Sequence, residues 1–280
     1  MGLFDAFRYD GKRALVVGGA SGMGAAVAEL VQDAGADVTV MDYADVKLKG
    51  AKAIKVNLGE QASIDQALEQ CDGPVHALFS CAGVADGTPG IEKINFIGHR
   101  YMVDRLVERG SLSSGSAIGF ISSAAGLGWE ANLSILNEYL DTPDFDAAVK
   151  WIEAHQDAEF MMSGYMWSKQ AICAYVAREA MSFLKQGIRI NAICPGPTDT
   201  PLARANADMW LGFGSDYRDE VGVKASTPLE QAYPLVFLCS DASSVITGQT
   251  LITDSGYFPS GVTGSFPPAT PVATFLLGRA

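Results

Sequence analysis

Short apolar runs alternate with stretches of helical periodicity between residues 14 and 253. Brief apolar runs rich in β-branched residues are typical of buried strands, whereas apolar positions repeating every three or four residues indicate helices. The pattern predicts strands at Ala14–Val17, Val38–Met41, Ala53–Val56, Ala77–Cys81, Ala117–Ile121, Ile188–Cys194 and Gln249–Thr253. The predicted helices are Gly22–Ala34 and residues 63–70, 91–108, 164–185 and 229–239. Strands that alternate with helices predict a single α/β domain with a doubly wound, seven-stranded parallel sheet.

One connection is too long for such a fold, in which loops usually have ~2–6 residues. It spans about residues 127–160 and has helical periodicity of its own. A first helix over Asn132–Leu140 would place Leu133, Leu136 and Leu140 on one face. Thr142 and Pro143 then fit the N-cap and first position of a second helix, whose apolar stripe would be Phe145, Val149 and Ile152. The sequence therefore predicts a helical-hairpin insertion.

Composition narrows the class of protein. Hydrophobic residues make up 48% of the 280 residues, enough for a large core, and the net charge is −12. That charge argues against nucleic-acid partners and against docking on an anionic membrane. No apolar run is long enough to span a membrane, so we expect a cytoplasmic protein. The five cysteines form no Cys-x-x-Cys pair and the three histidines are scattered, which predicts free thiols and no metal site.

A glycine-rich turn joins the first predicted strand to the first predicted helix. Gly18, Gly22 and Gly24 would let a pyrophosphate approach the backbone, with Ser21 and Met23 beside it, at a helix N-terminus. Asp42 ends the second strand 18 positions after Gly24, close to the ~20 expected for a carboxylate that binds the adenosine ribose. The charge of Asp42 would repel a 2′-phosphate, which predicts NAD rather than NADP. The glycine-rich turn between a strand and a helix predicts a Rossmann fold.

Tyr165 and Lys169 stand four positions apart within a predicted helix. Such residues share a helix face, and an ammonium beside a phenol lowers the phenol's pKa from ~10. Although an i,i+4 pair is ordinary by itself, this one could exchange a proton with an alcohol or a ketone.

These motifs together resemble the short-chain dehydrogenase/reductase family, from Gly11 to about Gly256. The resemblance continues through Asn95, Ser123 and the Pro195–Thr200 segment, all in family order, and is greatest to bacterial 3α-hydroxysteroid dehydrogenase/carbonyl reductases with an insert between the serine and the tyrosine. The sequence departs from the family pattern in three places: Val17 replaces a threonine, Asn57 stands where an aspartate is frequent, and Ser80-Cys81 replaces Asn-Asn.

The resemblance implies a role for each site residue. Tyr165 would be the general base and acid, Lys169 would hold the nicotinamide ribose, Ser123 would bind the substrate oxygen, and Asn95 would place a water. The cofactor-binding positions would be Gly18, Ser21, Gly22, Met23, Gly24, Asp42, Asn57, Leu58, Cys81, Ala82, Gly83, Tyr165, Lys169, Pro195, Gly196, Thr198 and Thr200.

Apolar residues in a second variable segment, residues 201–226, predict a flap over a bulky hydrophobic alcohol or ketone of steroid or terpenoid type. Residues 257–280 form an extension that could cover the pocket, pack on a partner or fray. The insert could wall the pocket, alter subunit assembly, or both; a homodimer is expected, with a tetramer as the alternative. Two other functions stay open: an NAD-binding regulatory or scaffold protein without turnover, and an epimerase or dehydratase using the same Tyr–Lys pair.

Overall fold

One parallel sheet organises the chain, for which the computed structural model describes residues 2–278. Within this range, seven strands pair in the order β3-β2-β1-β4-β5-β6-β7. Their bounds are β1 Arg13–Val17, β2 Asp37–Asp42, β3 Lys52–Lys55, β4 Ala77–Ser80, β5 Ala117–Ile121, β6 Arg189–Pro195 and β7 Thr250–Thr253. The predicted seven-stranded parallel sheet is confirmed, with strand ends within two residues of the predicted ones.

The strand order reverses beside β1, which lies between β2 and β4. Val17, at the end of β1, is in register with Met41 on one side and Ser80 on the other. Loops that leave these strands diverge to opposite faces of the sheet, and ligands of open α/β sheets bind in the crevice between them. The topology therefore places the glycine-rich turn, Asp42 and the segment after β4 around one crevice.

Helices cover both faces of the sheet. The α-helices are α1 Gly22–Asp33, α2 Gln61–Glu69, α3 Gly98–Glu108, α4 Leu133–Leu140, α5 Phe145–His155, α6 Gly164–Leu184, α7 Pro201–Ala205, α8 Ala207–Trp210, α9 Ser215–Val221, α10 Pro228–Cys239, α11 Tyr257–Thr263 and α12 Thr270–Leu276. The apolar sides of α1 and α10 form one buried cluster with the sheet, and those of α2, α3 and α6 form another. No helix within residues 2–278 has both the length and the apolar character needed to cross a membrane.

The predicted helix over 91–108 is interrupted by a π-helical turn at Lys93–Ile97, which α3 continues from Gly98. Asn95 lies in this turn, and its side-chain amide forms two hydrogen bonds with the backbone of Val84. Those bonds hold the turn against the loop that follows β4. Single π-turns of this kind are frequent at functional sites.

The insertion is a helical hairpin formed by α4 and α5, but its second helix does not begin as predicted. Thr142 is not the N-cap, because its hydroxyl donates to the carbonyl oxygen of Tyr139 and accepts from Arg100. Helix α5 begins at Phe145, and its N-cap is Asp144, whose carboxylate accepts from the amide of Ala147 at 2.8 Å.

The hairpin packs on the outer side of α6 and of the π-helical turn. Tyr139 lies at the centre of this contact, with ring centroids 5.5 Å from Phe96, 4.9 Å from Trp151 and 5.7 Å from Trp167. Arg178 of α6 donates to the carbonyl oxygen of Asn137. The indole of Trp167 therefore belongs to the hairpin core rather than to the substrate side.

The C-terminal extension folds back on its own chain; residues 279 and 280, at its predicted end, lie outside the described residues, as does residue 1. The carbonyl oxygen of Leu276 in α12 lies so close to Gly128 that a Cβ there would come within 1.6 Å of it. Leu276 and Phe258 pack with Leu127 in a small apolar cluster. The extension thus contacts the start of the insertion, four residues after Ser123.

Candidate active site

A cavity of about 490 Å³ lies at the carboxyl ends of β1, β2 and β4. Its lining includes most predicted cofactor positions: Gly18, Ser21, Gly22, Met23, Gly24, Asp42, Asn57, Leu58, Cys81, Ala82, Gly83 and Thr200. It also includes Val17 of β1, Pro201 and Leu202 of the predicted flap, and five further residues that sequence reasoning missed, namely Met41, Tyr43, Val56, Val84 and Ile94. The volume lies within the range of ligand pockets in proteins.

The glycines of the turn let three backbone segments meet without side chains. A Cβ on Gly18, whose φ is +85°, would lie 2.3 Å from the amide nitrogen of Ala82. A Cβ on Gly24 would lie 2.1 Å from the carbonyl oxygen of Gly18. The turn also precedes the N-terminus of α1, whose first amides have no partner within the helix. This backbone cradle fits the pyrophosphate of a dinucleotide.

Asp42 stands at the rim of the cradle with its carboxylate held by backbone amides. One oxygen accepts from the amide of Ala20 at 2.9 Å and the other from that of Ala44 at 2.8 Å. A carboxylate has about four acceptor sites, so lone pairs remain for ribose hydroxyls.

Lys55 is a nearby cation that sequence reasoning did not include. It is in register with Asp42 across β2 and β3, and its ammonium binds Asp45 at 2.6 Å and the carbonyl oxygen of Tyr43 at 3.1 Å. Both side chains of the Lys55–Asp45 pair are mostly exposed, so the pair is weak. Lys55 therefore brings a positive charge close to Asp42, and this charge is already paired with the carboxylate of Asp45.

Several other predicted cofactor positions have local partners. The amide side chain of Asn57 accepts from Gly59 and donates to Glu60, which shapes the turn before α2. Thr200 caps α7 by accepting from the amide of Ala203 at 3.1 Å, and its methyl side faces Gly22 across the cavity. Thr198 bonds Ser226, and neither it nor Pro195 nor Gly196 lines the cavity.

Lys169 lies one turn after Tyr165 on α6, and its ammonium is 5.5 Å from the centroid of the tyrosine ring. Its Nζ donates to the carbonyl oxygen of Ile121, at the end of β5, at 2.9 Å. The side chain is buried, and burial lowers the pKa of Lys169 to about 8. The Lys169 ammonium is thus held beside the Tyr165 ring by its own helix, α6, and by the end of β5.

The pKa of Tyr165 is raised rather than lowered, opposite to the direction predicted from sequence. Burial is the largest cause, because it disfavours the phenolate. The hydroxyl of Ser123 lowers the pKa by hydrogen bonding, whereas the charge of Asp86 raises it. Ser123 follows β5, and its Oγ accepts from the amide of Ala125 at 3.2 Å in the 3₁₀ turn Ala124–Gly126.

Asn95 joins the catalytic candidates to the cavity wall through Gly83. A Cβ on Gly83 would lie 3.5 Å from Asn95 Oδ1 and 3.6 Å from Lys169 Nζ. Both ends of the Asn95 amide bond the backbone of Val84, which fixes the orientation of this side chain and leaves one N–H and one lone pair unused. The structure thus brings Ser123, Tyr165, Lys169 and Asn95 together next to the glycine cradle.

Two further residues contact Tyr165. The indole of Trp210 in α8 packs against its ring, and the carboxylate of Asp86 accepts from its backbone amide. Trp210 belongs to the predicted flap, but its partner could not be identified from spacing. Asp86 carries no sequence signal, since it lies 79 positions before the tyrosine.

Comparisons with known proteins show which proteins this chain resembles. A family model described as enoyl-(acyl carrier protein) reductase matches residues 150–258. The NAD-dependent glycerol dehydrogenase of Listeria innocua is 30% identical over 90% of this chain and 95% of its own length. The coniferyl-alcohol dehydrogenase of a Pseudomonas strain is 27% identical over 88% and 96%. The structure of the 3-alpha-hydroxysteroid dehydrogenase of Pseudomonas sp. B-0831, complexed with NADH, superposes with a TM-score of 0.71, 25% identity and coverages of 91% and 99%.

The chain belongs to the short-chain dehydrogenase/reductase family of oxidoreductases, and its cofactor class is the nicotinamide dinucleotides.

Proposed function

We propose that this protein is an NAD-dependent oxidoreductase that interconverts a hydrophobic secondary alcohol and its ketone, with Tyr165 as the general base and acid. The observation that carries the proposal is the meeting of Tyr165, Lys169 and Ser123 beside the wall of the dinucleotide cavity. An acid/base group, a cation and a hydroxyl donor are the groups that proton exchange with an alcohol requires.

The side chains divide the chemistry between them. In alcohol oxidation, the Tyr165 phenolate takes the hydroxyl proton while Ser123 donates a hydrogen bond to the substrate oxygen. Lys169 supplies positive charge that opposes the effect of burial on Tyr165, and its pKa of about 8 leaves it mostly protonated at neutral pH. When bound, the nicotinamide ring supplies the hydride acceptor or donor. Gly83 and Thr200 would flank that ring, and the cradle Gly18–Gly24 would hold the pyrophosphate.

NAD is the proposed cofactor rather than NADP. Support comes from Asp42, whose carboxylate stands at the cavity rim with lone pairs free for ribose hydroxyls. A 2′-phosphate at this point would meet that negative charge at short range. The ammonium of Lys55 is bound to Asp45 and to the carbonyl oxygen of Tyr43 rather than to Asp42, so the charge of Asp42 is not neutralised by it.

A bulky apolar alcohol is the proposed substrate. The ring of Tyr165 is covered by Trp210, and the segment after Ser123 is covered by Leu276 and Phe258 from the C-terminal extension. Aromatic and aliphatic walls with few polar groups are suited to apolar ligands. Relatives named for coniferyl alcohol and hydroxysteroids agree with this class, whereas the relative named for glycerol favours a small polar one.

A homodimer is the proposed assembly. Many family members associate through the helices that neighbour the catalytic site, and here the hairpin occupies the outer side of α6 and is bonded to α3 through Arg100 and Thr142. Covering this surface removes one of the contacts a tetramer would use. Light scattering should give a dimer mass, and a stable tetramer would contradict the proposal.

The decisive experiment is a spectrophotometric screen at 340 nm with NAD and NADP in parallel, using steroid, monoterpene and aromatic secondary alcohols together with glycerol. We expect NADH release with at least one bulky alcohol. Binding of NAD without turnover on the whole panel would favour a regulatory role instead. Product formation without free NADH would favour an epimerase or dehydratase.

A further inference from the structure

We propose that Asp86 is a positioning residue that fixes the start of α6, and thereby the place and charge environment of Tyr165, from the loop that walls the cofactor cavity. This proposal rests on the function proposed above, because it concerns the acid/base role of Tyr165. Asp86 contacts no part of the cavity itself and would act only through the tyrosine.

The carboxylate of Asp86 uses both oxygens on the first turn of the catalytic helix. Oδ1 accepts from the backbone amide of Tyr165 at 2.9 Å, and Oδ2 accepts from the hydroxyl of Ser163 at 2.7 Å. Ser163 is the N-cap of α6, and its own Oγ accepts from the amide of Met166 at 3.0 Å. One carboxylate therefore holds both the cap and the catalytic residue.

The first amides of a helix have no partner within the helix and carry its positive dipole end. A carboxylate at this end forms charge-assisted hydrogen bonds, which are stronger than neutral ones. Most helices obtain such a cap from the preceding few residues, as α5 does from Asp144. Helix α6 instead receives its second cap from a loop that is 77 positions away in sequence from Ser163.

That loop is also part of the cofactor wall. Gly83 and Val84 line the cavity, and the Val84 backbone is bonded on both sides by Asn95. Asp86 follows within three residues, so the cavity wall and the tyrosine are joined by a short, hydrogen-bonded segment. The position of Tyr165 is therefore tied to the backbone of the cavity wall through Asp86.

Asp86 also sets the charge around the phenol. The charged groups near Tyr165 are Lys169 from its own helix, Asp86 from the loop after β4, and Glu92, which lies beside Gly164. Ser123 and Trp210, which also face the tyrosine, bring no charge. Removing the carboxylate of Asp86 therefore favours the phenolate.

The test compares Asp86→Asn, which keeps an acceptor for Tyr165 but removes the charge, with Asp86→Ala, which removes both. The control is Asp72→Asn, an equal change of charge at an exposed position in the loop before β4, which lies at the amino-terminal end of that strand and away from Tyr165 in sequence. Two quantities are measured: hydrogen exchange of the amides in residues 164–168, and the pH dependence of kcat for alcohol oxidation with NAD.

We expect Asp86→Ala to accelerate exchange in residues 164–168 by about tenfold or more, since the amide of Tyr165 loses its acceptor. Its kcat should fall ~10- to 100-fold, with KM for NAD changed less than about twofold, because a shift of ~1 Å in a catalytic group has effects of this size. The acid limb of the pH profile should move to lower pH in both Asp86 variants and not in Asp72→Asn.

Unchanged exchange in Asp86→Ala, or a pH limb that stays in place in Asp86→Asn, would overturn the proposal. Hydrogen exchange needs no turnover, so an inactive wild type would contradict the proposed function and still leave this proposal tested. Should Asp86→Ala fail to fold, Asp86→Asn alone decides through the position of its acid limb.

Discussion

The indole of Trp210 packs against the phenol ring of Tyr165, with the ring centroids 4.9 Å apart and the planes inclined by 44°. The tyrosine is therefore covered by the flap segment on one side and by its own helix on the other. Because this indole lies against the ring whose hydroxyl would meet the alcohol, Trp210 should influence which substrates bind.

We expect Trp210→Ala to raise KM for a bulky apolar alcohol by about tenfold, because an aromatic contact and part of an apolar wall are lost. The value of kcat should change less, since Trp210 carries no proton. Met209→Ala is the matched control: Met209 is the preceding residue of the same helix and is 75% exposed. Steady-state kinetics on both variants would contradict this role if their KM values were equal.

Docking of the C-terminal extension can be tested at Gly128, where a Cβ would meet the carbonyl oxygen of Leu276 at 1.6 Å. Gly128→Ala should lower the free energy of unfolding by ~1–3 kcal/mol more than a glycine change without a clash. It should also raise KM for the alcohol, because the extension covers the segment after Ser123. Gly110→Ala is that reference, because its φ of +69° resembles the +73° of Gly128 and nothing lies within 4 Å of the added Cβ. Chemical denaturation measures the difference, and equal losses would mean that α12 does not dock there.

Asp42→Asn tests the cofactor preference. The carboxylate that would bind the ribose hydroxyls loses its charge, so kcat/KM for NAD should fall ~10-fold or more, in line with the loss of a hydrogen bond to a charged group. The ratio of NADP to NAD efficiency should rise, because repulsion of the 2′-phosphate disappears. Asp33→Asn, an exposed change at the end of α1, should leave both values unchanged. Equal or better use of NADP by the wild type would overturn the NAD assignment.

Lys169→Met should stabilise the folded chain at neutral pH while removing activity. Burial lowers the Lys169 pKa to about 8 from 10.5, so the buried ammonium costs up to about 3 kcal/mol in folding free energy. Methionine removes that cost, offset by about 1 kcal/mol for the hydrogen bond lost at Ile121.

The pH dependence has a defined sign. Because the folded-state pKa lies below the ordinary value, the cost is fully present below pH about 8 and disappears as pH rises through 10.5. Urea unfolding should therefore show a gain for Lys169→Met at pH 7 that shrinks by pH 10. Lys150→Met, at an exposed position of α5, should show no such trend. If the free energies of unfolding of Lys169→Met and the wild type differ by the same amount at pH 7 and pH 10, the buried ammonium is not the cause of the difference.

Periodicity was sufficient to predict the sheet, because each strand is a short apolar run between amphipathic helices. Boundaries failed where a side chain had a distant partner. Thr142 has a typical capping sequence, but its hydroxyl is occupied by Tyr139 and Arg100, so Asp144 caps α5 instead. The π-helical turn at Asn95 depends on the backbone of Val84, which no local pattern encodes.

In the candidate site, too, the features set by local sequence could be predicted and those set by tertiary contacts could not. Gly18, Gly24 and Asp42 could be located from spacing, because their roles depend on a local strand–turn–helix unit. The direction of the Tyr165 pKa could not, since it depends on burial beneath Trp210 and on the charge of Asp86. Both of these residues reach the tyrosine through tertiary contacts.

The central claim is that Tyr165 transfers the proton, and Tyr165→Phe tests it most directly. The variant keeps the ring that packs against Trp210 and lacks only the hydroxyl, so folding and NAD binding should be unchanged. With the best alcohol of the screen and saturating NAD, the account predicts that the rate of NADH formation falls at least ~100-fold. A rate within a few-fold of the wild type would contradict it.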